Sequence, residues 1–369
     1  MKVLVVADAV GGVFTWAMEL ARALRARGVE VVLATEGARL APDQRLQVLA
    51  VEGLAHEEGY FRLEWMPDPW AHVAAAGRWL LDLERRHRPD VVHLSSYAHG
   101  ALPFRARKVL TAHSCVPSWL EAVRGEAPGP EWDRYRREAR AGLLSVHAIA
   151  APTRAMAQAL QRHHGPIPEP VIVPNGRTAR RFLPGTKQPL IAAAGRVWDE
   201  AKNVALLVRL APRLAWPVAV AGEQVAPGAP PPPLRPNGPG ARLLGRLREP
   251  ELAAWLGRSS IFVHPARYEP FGLAVLEAAL AGNALVLGDI PSLREVWGDA
   301  AVYVTPDDEA GLASALGALI TEPRRRAALA LRARTRALSY DPGRMLEGTL
   351  ALYRRAVTSR PAVREEARP

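Results

Sequence analysis

Short apolar segments alternate with segments of helical periodicity along most of the chain. The apolar segments have the length and composition of buried strands. They fall at residues 3–7, 29–34, 89–94, 109–114, 147–151, 171–173, 190–194, 217–221, 241–245, 261–263, 284–287 and 301–304. Helical spacing is clearest at residues 17–24, 70–86, 153–163 and 273–280. Thr153 is expected to cap the third of these helices, and Gly165 to end it. This alternation predicts an α/β fold built from Rossmann-like units.

The length of the chain predicts more than one domain. With 369 residues it is too long for a single ordinary hydrophobic core, so two domains are expected. A second series of strands and helices begins at Leu190. Residues 36–69 carry no clear pattern of either kind, and we predict irregular structure there.

The stretch from Tyr268 to Ala278 carries the strongest candidate chemistry. Pro270 suits the first turn of a helix, where its missing N–H is not needed. The unpaired N–H groups of Phe271, Gly272 and Leu273 would then leave the helix end. Together with the helix dipole they favour an anion, most naturally a phosphate.

Two glutamates eight residues apart lie on either side of this helix start. Glu277 would lie about two turns into the helix, too far to contact the same phosphate, but it could accept hydrogen bonds from a diol such as a ribose. Glu269 could do the same for a second polyol. A phosphate between two hydroxyl-rich groups describes a nucleotide sugar. The alternative is that Glu269 caps the helix and Glu277 lies on its solvated face.

This stretch resembles the Glu-x7-Glu signature of retaining glycosyltransferases, in particular glycosyltransferase family 4. The resemblance extends from Lys2 to about Val357. It implies a GT-B fold, in which two Rossmann-like domains face each other across a cleft. The segment Pro174-Asn175-Gly176 resembles the family's crossing between domains. We therefore expect an acceptor-binding domain at 1–172, a nucleotide-sugar-binding domain at 173–340, a helix at 341–358 that returns to the first domain, and a disordered tail at 359–369.

The segment from Gly195 to Lys202 resembles the family's Gly-Arg…Lys element. The resemblance implies that Arg196 and Lys202 hold the donor diphosphate, whose charge grows as the glycosidic bond breaks. Cations at that place stabilise the transition state more than the ground state. The alternative for each is a solvated surface charge.

The resemblance implies further site residues at the ends of strands. Gly11 and Gly12 resemble the family's Gly-Gly loop near the donor phosphates, although a tight turn would also need glycine. His113 corresponds to a histidine that contacts the transferred sugar, the alternative being a structural histidine. His93 could point into the cleft or be a satisfied core histidine. Leu247 is a candidate for the border of the nucleotide base.

We expect a retaining, metal-independent hexosyltransferase. It would move a sugar from a UDP-, GDP- or ADP-sugar to an acceptor hydroxyl on a glycan, lipid or small molecule. His113, Glu269, Arg196 and Lys202 are the catalytic candidates. No Asp-x-Asp metal motif occurs in the sequence, so we expect no metal and no other cofactor. The alternatives are a glycogen-synthase-like glucosyltransferase and a non-catalytic nucleotide-sugar-binding protein.

The net charge and the cysteine content of the chain say less about its function than these motifs do. The net charge is +11, carried mostly by arginine. Nucleic-acid binding is not expected, because no basic surface with interleaved aromatics is evident. Peripheral contact with an anionic membrane is a second interpretation. The one we favour is general use of arginine in place of lysine, with much proline and alanine, as in a GC-rich or thermophilic genome. The single cysteine, Cys115, excludes an intrachain disulfide. We expect a cytoplasmic protein, with peripheral contact at the inner face of the membrane as the alternative.

Overall fold

A computed structural model of the protein describes residues 1–226, 237–238 and 241–358. The chain divides into two α/β units. The first comprises Met1–Glu121, Glu126–Gly176 and the segment that begins at Pro342, and the second comprises Ala122–Gly125 and Arg177–Asp341. The chain thus passes into the second unit after Gly176, where the sequence suggested residue 173. The predicted disordered tail at 359–369 lies outside the described residues.

The first unit contains a parallel sheet of seven described strands, in the order β3-β2-β1-β4-β5-β6-β7. Because β1 has β2 on one side and β4 on the other, the direction of winding reverses between β1 and β4. Ligands of such sheets bind at the carboxyl ends of the strands near this reversal. The strands are β1 (Lys2–Asp8), β2 (Glu30–Glu36), β3 (Ala55–Glu58), β4 (Val91–Leu94), β5 (Arg107–Thr111), β6 (Ala148–Ala151) and β7 (Val171–Ile172).

Helices connect these strands, and a last helix joins them from the end of the described chain. They are α1 (Gly12–Ala26), α2 (Pro42–Leu49), α3 (Trp70–His87), α4 (Val116–Arg124), α5 (Asp133–Ser145) and α6 (Arg154–His164), and later α13 (Pro342–Thr358). The predicted cap of α6 is confirmed, because the Met156 N–H donates to Thr153 Oγ1 over 3.1 Å. Gly165 follows the last turn of α6 with φ 71°, as expected for a helix end.

The second unit contains another sheet of seven described strands, in the order β10-β11-β9-β8-β12-β13-β14. Only β10 is antiparallel among them. Here the winding reverses between β8 and β12. The strands are β8 (Gln188–Ala194), β9 (Val218–Ala221), β10 (Asn237–Gly238), β11 (Ala241–Gly245), β12 (Ser259–His264), β13 (Ala284–Gly288) and β14 (Val302–Val304).

Strand β12 shows why this sheet is so apolar in sequence. Side chains of a strand alternate between the two faces of its sheet. Phe262 belongs to one buried cluster, whereas Ile261 and Val263 belong to another. Helices cover both faces, so residues 261–263 of β12 form an uninterrupted apolar run. The helices are α7 (Val204–Leu210), α8 (Glu249–Arg258), α9 (Leu273–Leu280), α10 (Pro291–Trp297), α11 (Glu309–Thr321) and α12 (Pro323–Ala337).

The prediction of irregular structure at residues 36–69 was wrong in part. Helix α2 and strand β3 lie there. Strand β3 has the sequence Ala-His-Glu-Glu, is at the edge of the sheet and has no buried residue. Its pairing with β2 makes it a strand, and no apolar alternation marks it. None of the helices in the described ranges combines the length and the apolar character that a membrane span requires.

His93 is a satisfied core histidine, one of the two alternatives that the sequence left open. Its Nδ1 lies 2.8 Å from the Tyr353 hydroxyl and its Nε2 lies 2.7 Å from Thr111 Oγ1. Burial, together with His113, lowers the pKa of His93 to about 3. The neutral ring therefore donates through one nitrogen and accepts through the other. Because Tyr353 belongs to α13, this contact fastens the last helix to β4 and β5.

We expect Tyr353→Phe to lower the free energy of unfolding by about 1–2 kcal/mol, because it leaves a buried ring nitrogen of His93 without its partner. Urea denaturation would measure the loss. Tyr60→Phe is the matched control, since the Tyr60 side chain is exposed and its contact with Arg39 needs only the ring. Equal stability of the two variants would contradict the assignment.

Candidate functional site

The candidate site begins where β12 ends and α9 starts. Gly272 precedes the helix with φ 90° and ψ 67°, a left-handed conformation that suits glycine. Helix α9 therefore starts at Leu273, and the expectation that Pro270 lies in its first turn was wrong. Glu277 is accordingly little more than one turn into the helix, not two. The Phe271 side chain is buried, with its ring edge against Tyr340.

The N–H groups before the helix are only partly available to an anion. The Phe271 N–H points toward Glu269 Oε1 over 3.5 Å, at the outer limit of a hydrogen bond. The Ser292 hydroxyl donates to the backbone carbonyl of Glu269 and fixes this loop from α10. The loop thus has a defined shape before any ligand binds.

The Glu269 carboxylate lies between the side chains of Lys202 and His264. Its Oε2 accepts from Lys202 Nζ over 2.8 Å and lies 3.1 Å from His264 Nε2. Burial by itself would raise the pKa of Glu269, but Lys202 and His264 outweigh it and hold that pKa well below its usual range. The carboxyl group is therefore ionised at neutral pH. His264 is the last residue of β12, and the sequence did not single it out.

The loop after β8 supplies both predicted cations. Arg196 Nη2 donates to Asp199 Oδ2 over 2.7 Å, and its guanidinium lies 5.2 Å from the ring centroid of Trp198. Asp199 also accepts from the Ala201 N–H, which shapes the turn that carries Lys202. The Arg196 side chain remains about one-third exposed at 34%, so its other donors can reach a ligand. The structure thus brings Lys202 and Glu269 into contact and anchors Arg196 in the same loop as Lys202.

Glu277 is buried and held by an arginine that the sequence analysis missed. Arg177 Nε donates to Glu277 Oε1 over 2.7 Å, and Arg177 Nη2 donates to Glu249 Oε2 over 2.9 Å. Arg181 donates to the other Glu249 oxygen over 2.5 Å. The partners of Arg177 are 72 and 100 residues away in sequence, so no local pattern could reveal them. Its position directly after Pro-Asn-Gly was the only available signal.

The remaining candidates are in different surroundings. Gly11 has φ 73° and ψ −150°, and both it and Gly12 are exposed at the start of α1. Leu247 is half-buried against the core of the second unit. Gly11 and Gly12 follow β1, next to the reversal of winding in the first sheet. The positions of the two glycines fit either a ligand-binding loop or a tight turn.

His113 follows β5 in the first unit and packs its ring edge-on against Trp16, 4.5 Å between centroids. Burial lowers the pKa of His113 to about 3, so the ring is neutral. Its Nε2 is buried and has no hydrogen-bond partner within the part of the chain that the structure describes. An unsatisfied buried nitrogen is uncommon and asks for an explanation, which a ligand would supply.

The second unit therefore has cations, an ionised carboxylate and a helix start at the ends of β8 and β12. These are the neighbouring strands between which the winding reverses, where α/β sheets bind ligands. Comparison with known protein families identifies two glycosyltransferase domains. Residues 10–181 match Glycosyltransferase Family 4, and residues 188–322 match Glycosyl transferases group 1.

Individual relatives differ in how much of the chain they share. Glycogen synthase from Mycobacterium tuberculosis is 44% identical over 84 residues, which make up 22% of this chain. The chain matches only 20% of that relative's length. D-inositol 3-phosphate glycosyltransferase from Rhodococcus erythropolis is 26% identical over 397 residues, covering 95% of this chain and 87% of its own.

A solved structure extends the likeness to nearly the whole fold. Alr3699/HepE from Anabaena, in complex with UDP-glucose, has a TM-score of 0.74 at 14% identity, covering 95% of this chain and 99% of that one. The fold is the GT-B fold of glycosyltransferases. The chain belongs to the glycosyltransferases of the family 4 type, with a Family 4 domain followed by a group 1 domain.

We expect Lys202→Ala to destabilise the protein in a pH-dependent way. In the wild type the depressed pKa of Glu269 contributes stability above the ordinary glutamate pKa, and this contribution is lost as pH falls. Without Lys202, burial dominates and the pKa of Glu269 rises, so the variant loses stability as pH increases. The difference in unfolding free energy should grow between pH 4 and 7 to about 2 kcal/mol.

Urea denaturation at several pH values would measure this difference. Lys2→Ala is the control, because Lys2 pairs with the largely exposed Glu30 and its removal should have little pH dependence. A difference for Lys202→Ala that stays constant over this pH range would contradict an ionised, buried Glu269.

Proposed function

We propose that the protein is a retaining, metal-independent glycosyltransferase that moves a sugar from a nucleotide-diphosphate sugar to an acceptor hydroxyl. The observation that carries this proposal is the group formed by Lys202, Glu269 and the loop of Arg196 at the ends of β8 and β12. It offers both the positive charge that a diphosphate needs and the carboxylate that a polyol needs.

The diphosphate is proposed to bind Arg196 and Lys202. In the absence of ligand each cation has a carboxylate partner, Asp199 and Glu269 respectively. These partners hold the cations in place, so little rearrangement is needed when charge develops on the leaving group. Preorganised charges of this kind stabilise a transition state more effectively than solvent does.

Hydroxyl groups of the donor are proposed to bind Glu269 and Glu277. Both carboxylates are oriented by cations, Glu269 by Lys202 and Glu277 by Arg177. A carboxylate whose orientation is fixed can accept two neighbouring hydroxyl groups with little loss of conformational entropy. Phe271, Gly272 and Leu273 would place the start of α9 toward the phosphates.

His113 is proposed to contact the transferred sugar. Its neutral ring has an unsatisfied buried Nε2, which a sugar hydroxyl could satisfy. Gly11 and Gly12 would let backbone approach the donor. Uridine diphosphate is the first nucleotide to test, because the Anabaena neighbour is a UDP-glucose complex. GDP- and ADP-sugars remain alternatives, as do glycan, lipid and small-molecule acceptors.

The proposal also includes two details of the reaction, namely that it needs no metal and that it retains the configuration of the transferred sugar. Charge on the diphosphate would be met by Arg196, Lys202 and the helix start, and the sequence has no Asp-x-Asp motif. The resemblance implies a front-face reaction, in which the leaving phosphate takes the proton of the acceptor hydroxyl. We further propose a cytoplasmic enzyme, with peripheral contact at an anionic membrane if the acceptor is a lipid.

A glycogen-synthase-like glucosyltransferase is the second candidate. The segment that is 44% identical to glycogen synthase favours it, although this segment covers only 22% of the chain. A glucan acceptor would support this candidate. A non-catalytic protein of the same fold would bind the donor and release no nucleotide from it.

We expect UDP or a UDP-sugar to bind whether or not a chelator is present. Isothermal titration calorimetry of UDP, GDP, ADP and their sugars would identify the base. The same affinity and the same rate of UDP release with and without EDTA are expected, since the proposed phosphate ligands are side-chain cations. Loss of most of the rate on adding EDTA would refute metal independence, and failure of every nucleotide to bind would refute the donor site.

Two substitutions separate binding from catalysis. Lys202→Ala should lower kcat for UDP release on the order of 100-fold and donor affinity much less, because its cation acts mainly on the developing charge. Glu277→Gln should weaken donor binding about tenfold, because it removes a charged acceptor. Glu251→Gln, exposed on α8, is the control. If kcat and donor affinity match the control in both variants, the site assignment is wrong.

A further inference from the structure

A cavity of about 340 Å³ opens in the first unit beside α5 and the end of α6. None of its lining residues belongs to the proposed donor site. All of them are basic except Asp133. The lining residues are Asp133, Arg136, Arg137, Arg140, His163 and His164. Three guanidinium groups face one carboxylate, so the arginines and the aspartate together carry a formal charge of +2.

The arginines of this cavity share one face of α5. Arg136, Arg137 and Arg140 are one, three and four residues apart, and residues three or four apart are neighbours on a helix. Like charges at this spacing destabilise an isolated helix. Arg136 has Asp133 as a partner at 3.2 Å, with both side chains about half exposed. No ion pair of Arg137 occurs within the described ranges, so its guanidinium is available to a ligand.

Arg140 is fixed in place by the end of α6. Its Nη1 donates to the His164 backbone carbonyl. The turn after α6 allows this contact because Gly165 has no side chain, and a Cβ there would lie 2.9 Å from Arg140 Nη1. One side of the cavity is thus built by a preorganised arginine, not by a mobile surface side chain.

His164 supplies an independent indication of a ligand. The residue is only 3% exposed, yet neither ring nitrogen has a hydrogen-bond partner among the described residues. Burial, His163, Arg140 and Arg136 lower the pKa of His164 to about 4. A buried imidazole with both nitrogens unsatisfied is costly and asks for a partner. An anion in the cavity would accept a hydrogen bond from the N–H of this ring and offset the repulsion among the arginines.

The arginine-rich composition does not explain this arrangement. Helix α12 is also rich in arginine, but there three of the side chains bind neighbouring structure. Arg334 donates to the Leu280 carbonyl, Arg336 donates to the Val296 carbonyl, and Arg326 stacks on Trp216. Those arginines fasten the helix to the second unit. Beside α5, in contrast, Arg137 has no ion pair among the described residues and lines a cavity.

We propose that this cavity is a binding site for a phosphate group carried by a molecule other than the nucleotide-sugar donor. Guanidinium groups bind phosphate through paired hydrogen bonds, and Arg137 and Arg136 offer such donors at the cavity. The volume is at the small end of ligand pockets, so it suits one phosphorylated head group and not a dinucleotide. A phosphorylated metabolite and a phospholipid head group share this chemistry.

Arg137→Gln tests the proposal without disturbing the fold, because Arg137 is exposed and has no ion pair in the described structure. Arg134→Gln is the matched control, since it removes the same charge from the same helix but Arg134 does not line the cavity. The probes are inorganic phosphate, glucose 6-phosphate, and vesicles of phosphatidylcholine with and without phosphatidylglycerol. UDP is present throughout, so that phosphate taken up by the proposed donor site is not counted.

We expect glucose 6-phosphate or the anionic vesicles to bind the wild type at low salt and to shift the His164 ring resonances in NMR spectra. Arg137→Gln should weaken this binding about tenfold, and Arg134→Gln should leave it within twofold. Binding of the soluble phosphates would identify a metabolite site, whereas binding of the anionic vesicles alone would identify a lipid head group.

Two results would overturn the proposal. One is the absence of binding by every probe, with no change at His164. The other is equal weakening by Arg137→Gln and Arg134→Gln, which would show a diffuse effect of charge and no site. Neither result bears on the donor site, because the cavity is lined by first-unit residues only and UDP binding is measured separately.

Discussion

The ionised carboxylate of Glu269 is the constraint on which the second unit depends. A buried carboxylate is very unfavourable without partners, and this one is stabilised by Lys202 and His264. These three residues come from the loop after β8, the end of β12 and the loop before α9. One electrostatic requirement therefore fixes the relative positions of three segments. The same contacts place a cation and a carboxylate side by side before a substrate binds.

A second buried charge extends this organisation. Arg177, at the point where the chain enters the second unit, binds Glu277 on α9 and Glu249 on α8. Its side chain is 3% exposed, so both ion pairs are largely removed from water. Breaking such a pair leaves an uncompensated charge, which makes the arrangement rigid although it adds little net stability. The side chain proposed to bind the nucleotide sugar, that of Glu277, is thus oriented by Arg177, which need not contact the nucleotide sugar itself.

The net charge of +11 has several origins in the structure. Some arginines fasten helix α12 to its neighbours, Arg177 and Arg196 organise the candidate site, and those beside α5 converge on a cavity. Composition alone could not separate these roles, because a guanidinium in a helix sequence looks the same in each. The difference lies in what each group meets: a carbonyl, a carboxylate, or empty volume next to an unsatisfied histidine.

The sequence by itself determined the alternation of strands and helices, the two-unit organisation and the stretch around Glu269. Buried strands and amphipathic helices have local periodicities, and turns and caps such as Thr153 and Gly165 have local chemistry, so these features are readable in order along the chain. Only the tertiary structure decided that Glu269 pairs with Lys202, that Arg177 holds Glu277, that His93 is a core residue, and that α9 starts at Leu273. The sequence did not reveal strand β3 or the cavity beside α5 either. Apart from the start of α9, which Gly272 sets locally, each of these depends on partners far away in sequence. No local pattern records which distant side chains the packing of the sheets will bring within a few ångströms.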